Sequence, residues 1–226
     1  IKQYDFNKFN QIKRITIPNT VTKFENKSFY SLKSLRNINI PETIKSIDDY
    51  SFSDCLSLEE ILIPESVILL GNFCFSQCIS LNKIIIPKSI RNIGENCFSG
   101  CTNLNEITFL GEIESFPKES FARCSSLKEI KIPESVILLG TYSFLGCSAI
   151  KQIIIPKSVK LIDEFAFSQC NLLEQVVIPD SIEVINNGAF NDCTSLAQIE
   201  IPPSIKKIGN GAFRNCILIK QMIIPN

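Results

Sequence analysis

Residues 58–78 read Leu-Glu-Glu-Ile-Leu-Ile-Pro-Glu-Ser-Val-Ile-Leu-Leu-Gly-Asn-Phe-Cys-Phe-Ser-Gln-Cys, and variants of this stretch recur along the whole chain. Leu58, Ile61 and Ile63 alternate with polar or variable residues, which predicts a short strand with one buried face. Proline cannot donate to a strand ladder, so Pro64 marks the end of that strand and a corner in the chain. A second extended segment is predicted at 67–70, and a helical or 3₁₀ turn at 72–78.

The recurrence has a period of 23 residues. Nine prolines fall on one position of this grid: Pro18, Pro41, Pro64, Pro87, Pro133, Pro156, Pro179, Pro202 and Pro225. Ten phenylalanines fall on another: Phe6, Phe29, Phe52, Phe75, Phe98, Phe121, Phe144, Phe167, Phe190 and Phe213. Repeats of this length predict a solenoid, in which each coil covers the apolar face of the next.

The predicted fold is therefore a repeat solenoid: a horseshoe or arc of short parallel β-strands and short turns. About ten coils, the terminal ones partial, form a single array over residues 1–226, with no domain boundary inside it. We expect the ten phenylalanines to line up as a spine. Neither end of the sequence carries a visible polar capping coil, so we expect the array to continue further or to associate end to end.

The string Leu58-x-x-Ile61-x-Ile63-Pro64, with Ala, Ser or Cys before Phe-x-x-Cys at 23-residue spacing, resembles the BspA-like leucine-rich repeat family over essentially all of the chain. Departures are few: Leu110-Gly111 replaces the proline corner, and Pro117 replaces a polar or glycine residue. The resemblance implies a curved solenoid that binds proteins, often as an adhesin on a microbial surface. It implies no catalytic residues.

Eight of the ten cysteines lie three residues after a spine phenylalanine: Cys55, Cys78, Cys101, Cys124, Cys147, Cys170, Cys193 and Cys216. The other two, Cys74 and Cys97, occupy a position where other coils have Ala or Ser, so they serve as small buried side chains. We expect the thiols to reach backbone carbonyls. Disulfides between neighbouring coils are a geometric alternative, and a zinc site is a third, although a single file of thiolates does not converge on one ion.

The composition argues against several classes of function. Lys plus Arg and Asp plus Glu both number 23, so no net charge attracts nucleic acid, and no apolar run is long enough for membrane insertion. The chain has no histidine, which removes histidine-based catalysis and histidine metal ligands. The glycines are scattered and form no phosphate-binding loop. We expect no enzyme, no cofactor and no metal.

Information about a partner must lie in the variable positions that point outward from the strands, which we expect to form the concave face. The predicted partner-binding residues are Glu60, Leu62, Lys83, Ile85, Glu129, Lys131, Gln152, Ile154, Gln175, Val177, Gln198, Glu200, Gln221 and Ile223. The four glutamines are expected to stack as a hydrogen-bonded amide ladder. The apolar members beside them indicate either a binding stripe or merely the strand preference of β-branched residues.

The sequence thus predicts a noncatalytic protein-interaction scaffold, and the resemblance to the BspA-like family implies an adhesive role at a cell surface. The alternative is a regulatory or targeting module of a larger intracellular protein, where free thiols persist. The sequence does not determine the compartment, although it slightly favours a cell-surface or secreted location over the cytoplasm.

Overall fold

Each 23-residue repeat forms one turn of a parallel β-solenoid in the computed structural model, which describes residues 1–2, 6, 9 and 11–224. Two rows of strands run along it. The front strands are β1 (Arg14–Thr16), β2 (Asn37–Asn39), β5 (Lys83–Ile86), β6 (Glu106–Phe109), β9 (Gln152–Ile154), β11 (Gln175–Val177) and β13 (Gln198–Glu200). The side strands are β3 (Ser46–Ile47), β4 (Leu69–Leu70), β7 (Ser115–Phe116), β8 (Leu138–Leu139), β10 (Leu161–Ile162), β12 (Val184–Ile185) and β14 (Lys207–Ile208).

Every strand pair is parallel and in a register of one repeat, so that Gln175 lies opposite both Gln152 and Gln198. The front strands form three separate sheets: β1–β2, β5–β6 and β9–β11–β13. Between these groups, Leu62 makes only an isolated bridge to Asn39, and residues 129–131 form no strand. The second interruption follows the coil in which the bulkier Phe109 replaces the isoleucine found at that grid position in the other coils.

The core is a line of stacked side chains. The ten spine phenylalanines stack ring on ring, with successive centroids 5.0 to 5.6 Å apart. One hydrophobic cluster extends from Ile17 to Cys216 and includes the buried isoleucines of both strand rows. The predicted spine is confirmed, and each ring from Phe29 to Phe190 is stacked between two others.

The turn that carries each phenylalanine differs from the prediction, because the described chain contains no helix there, 3₁₀ or otherwise. The residues two before and two after the ring adopt a left-handed conformation, as in Phe73 (φ 56°) and Gln77 (φ 61°). These left-handed residues interrupt a helical path. They direct the N–H groups of Phe73, Phe75 and Gln77 to carbonyls of the next coil, at 2.8 to 2.9 Å. The turn is therefore bonded between coils as well as within itself.

Candidate protein-interaction face

The outward side chains of the front strands form one continuous surface, which we call the front face. It also includes the outward residues of segments 60–62, 129–131 and 221–223, which hold the same grid positions. The alternation along each strand creates it: in β11, Val176 is buried while Gln175 and Val177 are exposed. Because the inward residues are committed to the core, only the outward ones vary in chemistry from coil to coil.

All fourteen predicted partner-binding residues are exposed on this surface. The register brings them into two columns, one headed by Glu60 and the other by Leu62. The strand pairs align Gln152, Gln175 and Gln198 in the first column and Ile154, Val177 and Glu200 in the second. The structure thus assembles the predicted residues into one surface, and their role in binding stays a prediction.

The prediction that the glutamines form a hydrogen-bonded amide ladder is wrong. Gln152, Gln175 and Gln198 stand in register, yet no hydrogen bond joins successive glutamine side chains among the described residues. Water competes for exposed amides, so a side-chain bond between them gains little net free energy. The amide groups of this column are consequently available to a partner.

Charge differs along the front face. In the sheet formed by β5 and β6, the Nζ of Lys83 lies 3.0 Å from a carboxylate oxygen of Glu106, so these two charges neutralise each other. In the sheet formed by β9, β11 and β13, Glu200 has no basic partner among the described residues. The C-terminal part of the front face therefore combines neutral amides with an unpaired carboxylate.

A groove of about 540 Å³ crosses β11 and β13. Front-face residues of both strands line it, together with Gln221. Its lining also includes residues outside the predicted set, among them Asp180, Pro202 and Pro203. These three lie at or just after the proline corner rather than in the strand. The Pro202-Pro203 pair is a visible signal, because every other coil has at most one proline at this corner.

Apolar side chains stand out from both strand rows. On the front face, Leu62 is 78% exposed, Ile154 64% and Ile223 70%. On the side strands and the residues just before them, Ile68, Leu69, Ile137 and Leu161 are also exposed. Duplication explains Ile68, Leu69 and Ile137, since Pro-Glu-Ser-Val-Ile-Leu-Leu-Gly occurs at 64–71 and again at 133–140.

All ten cysteines are buried inside the solenoid as free thiols. Each thiol of the main column donates to the carbonyl oxygen of a spine phenylalanine 26 residues earlier, at 3.1 to 3.3 Å. This confirms the predicted thiol-to-carbonyl bonds. Desolvation raises the pKa of the Cys55 and Cys170 thiols to about 12, so neither forms the thiolate that a nucleophile or a zinc ligand needs at neutral pH.

The remaining cysteines, Cys74 and Cys97, place their sulfur atoms 3.6 Å apart in the buried column before the phenylalanines. No cluster of three or more potential metal-ligating residues occurs in the described part of the chain. Nor does any helix within it have the length and apolar character of a membrane span.

The sequence matches the family model for the BspA type leucine rich repeat region, in six copies over residues 1–128 and 114–226. No curated protein matches it. Among solved structures, a leucine-rich repeat protein from Bacteroides ovatus is similar with a TM-score of 0.71 and 24% identity. That similarity covers 92% of this chain and 65% of the other, so the chain spans just under two thirds of that protein's length.

Two further structures share the fold. The T. pallidum leucine rich repeat protein has a TM-score of 0.68 and 29% identity, over 71% of this chain and 78% of its own. A leucine rich cell surface protein from Faecalibacterium prausnitzii has a TM-score of 0.55 and 24% identity, over 98% of this chain and 76% of its own.

Proposed function

This chain belongs to the BspA-type leucine-rich repeat family, and on that premise we propose that it is a noncatalytic scaffold that binds a protein partner through its front face. The observation that carries the proposal is the exposure of Leu62, Ile154 and Ile223 on a surface whose neighbouring inward residues are fully committed to the core. Exposed aliphatic side chains of this kind supply the apolar contacts at the centre of a protein interface.

The rest of the front face suits the same role. The glutamine amides beside Ile154 and Val177 form no bonds with one another, so they donate to and accept from a partner without first breaking a bond. The stacked phenylalanine spine fixes the spacing of these groups. Binding on such a preorganised surface loses little conformational entropy of the scaffold.

We further propose that the scaffold acts as an adhesin at a cell surface. A protein of the same fold from Faecalibacterium prausnitzii is a leucine rich cell surface protein, which supports this location. An adhesin binds extracellular proteins, whereas an intracellular regulatory module binds intracellular ones. The identity of the partners therefore distinguishes the two roles.

Biolayer interferometry of the immobilised chain against a panel of purified serum and extracellular-matrix proteins tests the proposal. We expect at least one member to bind, and the double variant Ile154→Lys/Val177→Lys to weaken that binding about tenfold or more. The matched control is Ile68→Lys/Ile137→Lys, which places the same two charges on exposed aliphatic residues outside the front face.

An affinity that falls with Ile68→Lys/Ile137→Lys and not with the front-face double variant would move the binding surface to the side strands. Failure of every panel member to bind would contradict the adhesive role.

A further inference from the structure

We propose that the groove across β11 and β13 binds a segment of a protein partner in extended conformation, with one lysine or arginine side chain directed at Asp180 and another at Glu200. This inference rests on the proposed function, and it specifies the chemistry of the partner. The groove encloses about 540 Å³, a volume within the usual range for small-ligand sites, so it holds a few residues of a peptide.

The charge of the groove is the first argument. Asp180 and Glu200 are the only charged side chains among its described lining residues, and both are acidic. Both are exposed, and neither forms a hydrogen bond or ion pair with any described residue. A groove with two unpaired carboxylates attracts a cation and disfavours an acidic segment.

The groove differs in charge from the sheet formed by β5 and β6. Glu106 on β6 has its charge neutralised by Lys83 at 3.0 Å. Glu174, just before β11, also has a lysine within 3.9 Å, and it does not line the groove. Asp180 and Glu200 have no such lysine among the described residues, so cationic side chains of a partner can pair with them.

The uncharged lining supplies the remaining contacts of an extended peptide. Gln175, Gln198 and Gln221 each carry an amide that both donates and accepts, which matches the alternating N–H and C=O groups of a peptide backbone. Val177, 45% exposed, and Pro203 offer apolar contact to an aliphatic side chain. Together these groups fit a segment in which aliphatic and basic residues alternate, because side chains of an extended chain alternate in direction.

Three fluorescein-labelled decapeptides, acetylated and amidated at their ends, test the inference: alternating Val-Lys, Val-Gln and Val-Glu. Fluorescence anisotropy at low salt is expected to give the Val-Lys peptide about a tenfold higher affinity than the Val-Glu peptide, decreasing as salt is added. The variant Asp180→Asn/Glu200→Gln should lower the Val-Lys affinity to that of Val-Gln.

The matched control is Glu60→Gln/Glu129→Gln, which changes net charge equally on the same face outside the groove. Equal losses in the two double variants, equal affinity for the Val-Lys and Val-Glu peptides, or no binding of Val-Lys would each overturn the inference. A further outcome separates this inference from the proposed function. If Ile154→Lys/Val177→Lys weakened the binding of an extracellular partner while Asp180→Asn/Glu200→Gln did not, front-face binding would stand and the role of the groove would be refuted.

Discussion

The thiol of Cys78 donates a hydrogen bond to the carbonyl oxygen of Phe52, 3.1 Å away in the preceding coil. The same oxygen accepts the backbone N–H of Cys55 at 3.2 Å. A carbonyl oxygen has two lone pairs, so this arrangement satisfies both inside the core. Because it recurs in every coil with a column cysteine, the thiols connect neighbouring coils as well as filling space.

Replacing Cys78 by alanine should lower the free energy of unfolding by about 1–2 kcal/mol, because it removes a buried sulfur and a donor to Phe52. Urea denaturation followed by circular dichroism measures the change. Lys88→Ala, at an exposed residue, is the control and should change stability by no more than about 0.5 kcal/mol. An equally small change for Cys78→Ala would show that the thiol contributes neither packing nor bonding.

Thiol reactivity should depend on unfolding. All ten cysteines are buried free thiols, so a thiol reagent such as Ellman's reagent should react slowly with the native chain and rapidly with all ten in denaturant. The comparison is made without and with prior reduction. A lower count in denaturant before reduction than after it would reveal disulfides and contradict the column of free thiols.

Stability should fall at alkaline pH. Desolvation raises the pKa of Cys55 and Cys170 from 9.0 to about 12, so the folded chain keeps protons that the unfolded chain releases. This contribution is complete below about pH 9, and it is lost as pH rises through about 12. Each such thiol steepens the decline by up to about 1.4 kcal/mol per pH unit. Cys170→Ala should therefore flatten the dependence measured by urea denaturation between pH 9 and 11, and an unchanged slope would contradict it.

The phenylalanine spine should be most sensitive in its middle. Phe98 is fully buried between Phe75 and Phe121, with centroids 5.6 Å away on both sides. Phe98→Ala should lower the free energy of unfolding by about 3–5 kcal/mol. Phe213 has only one stacked neighbour among the described rings and is partly buried, so Phe213→Ala should cost less. Thermal and urea unfolding compare the two, and equal losses would argue against a continuous stack.

The left-handed turns should be sensitive to a side chain. Gly146 has φ +69°, and an added Cβ would come no closer than 3.7 Å to another atom outside its chain neighbours. Gly146→Ala therefore isolates the backbone effect, which should lower stability by about 1–2 kcal/mol. Lys157→Ala, at an exposed residue without positive φ, is the control. If both variants had wild-type stability in urea, the left-handed conformation would not be required at residue 146.

The sequence by itself determined the features that follow from the 23-residue repeat. The 23-residue grid determined that Phe75 stacks on Phe52 and Phe98, that Cys78 lies in the core, and that Gln175 aligns with Gln152. Each follows from one rule: in a solenoid, residues one period apart are neighbours, and apolar residues repeated at that period are buried.

Only the tertiary structure decided the conformation of the turns, the hydrogen bonds of the side chains and the lining of the groove. It replaced the predicted helical turn by left-handed residues such as Phe73, because their N–H groups bond to the next coil. It left the glutamine side chains without hydrogen bonds to one another, and it placed Asp180 and Glu200 in the lining of one groove. A repeat pattern records which positions are buried. It does not record φ, side-chain bonding or the shape of a groove, because these arise only when neighbouring coils are packed together.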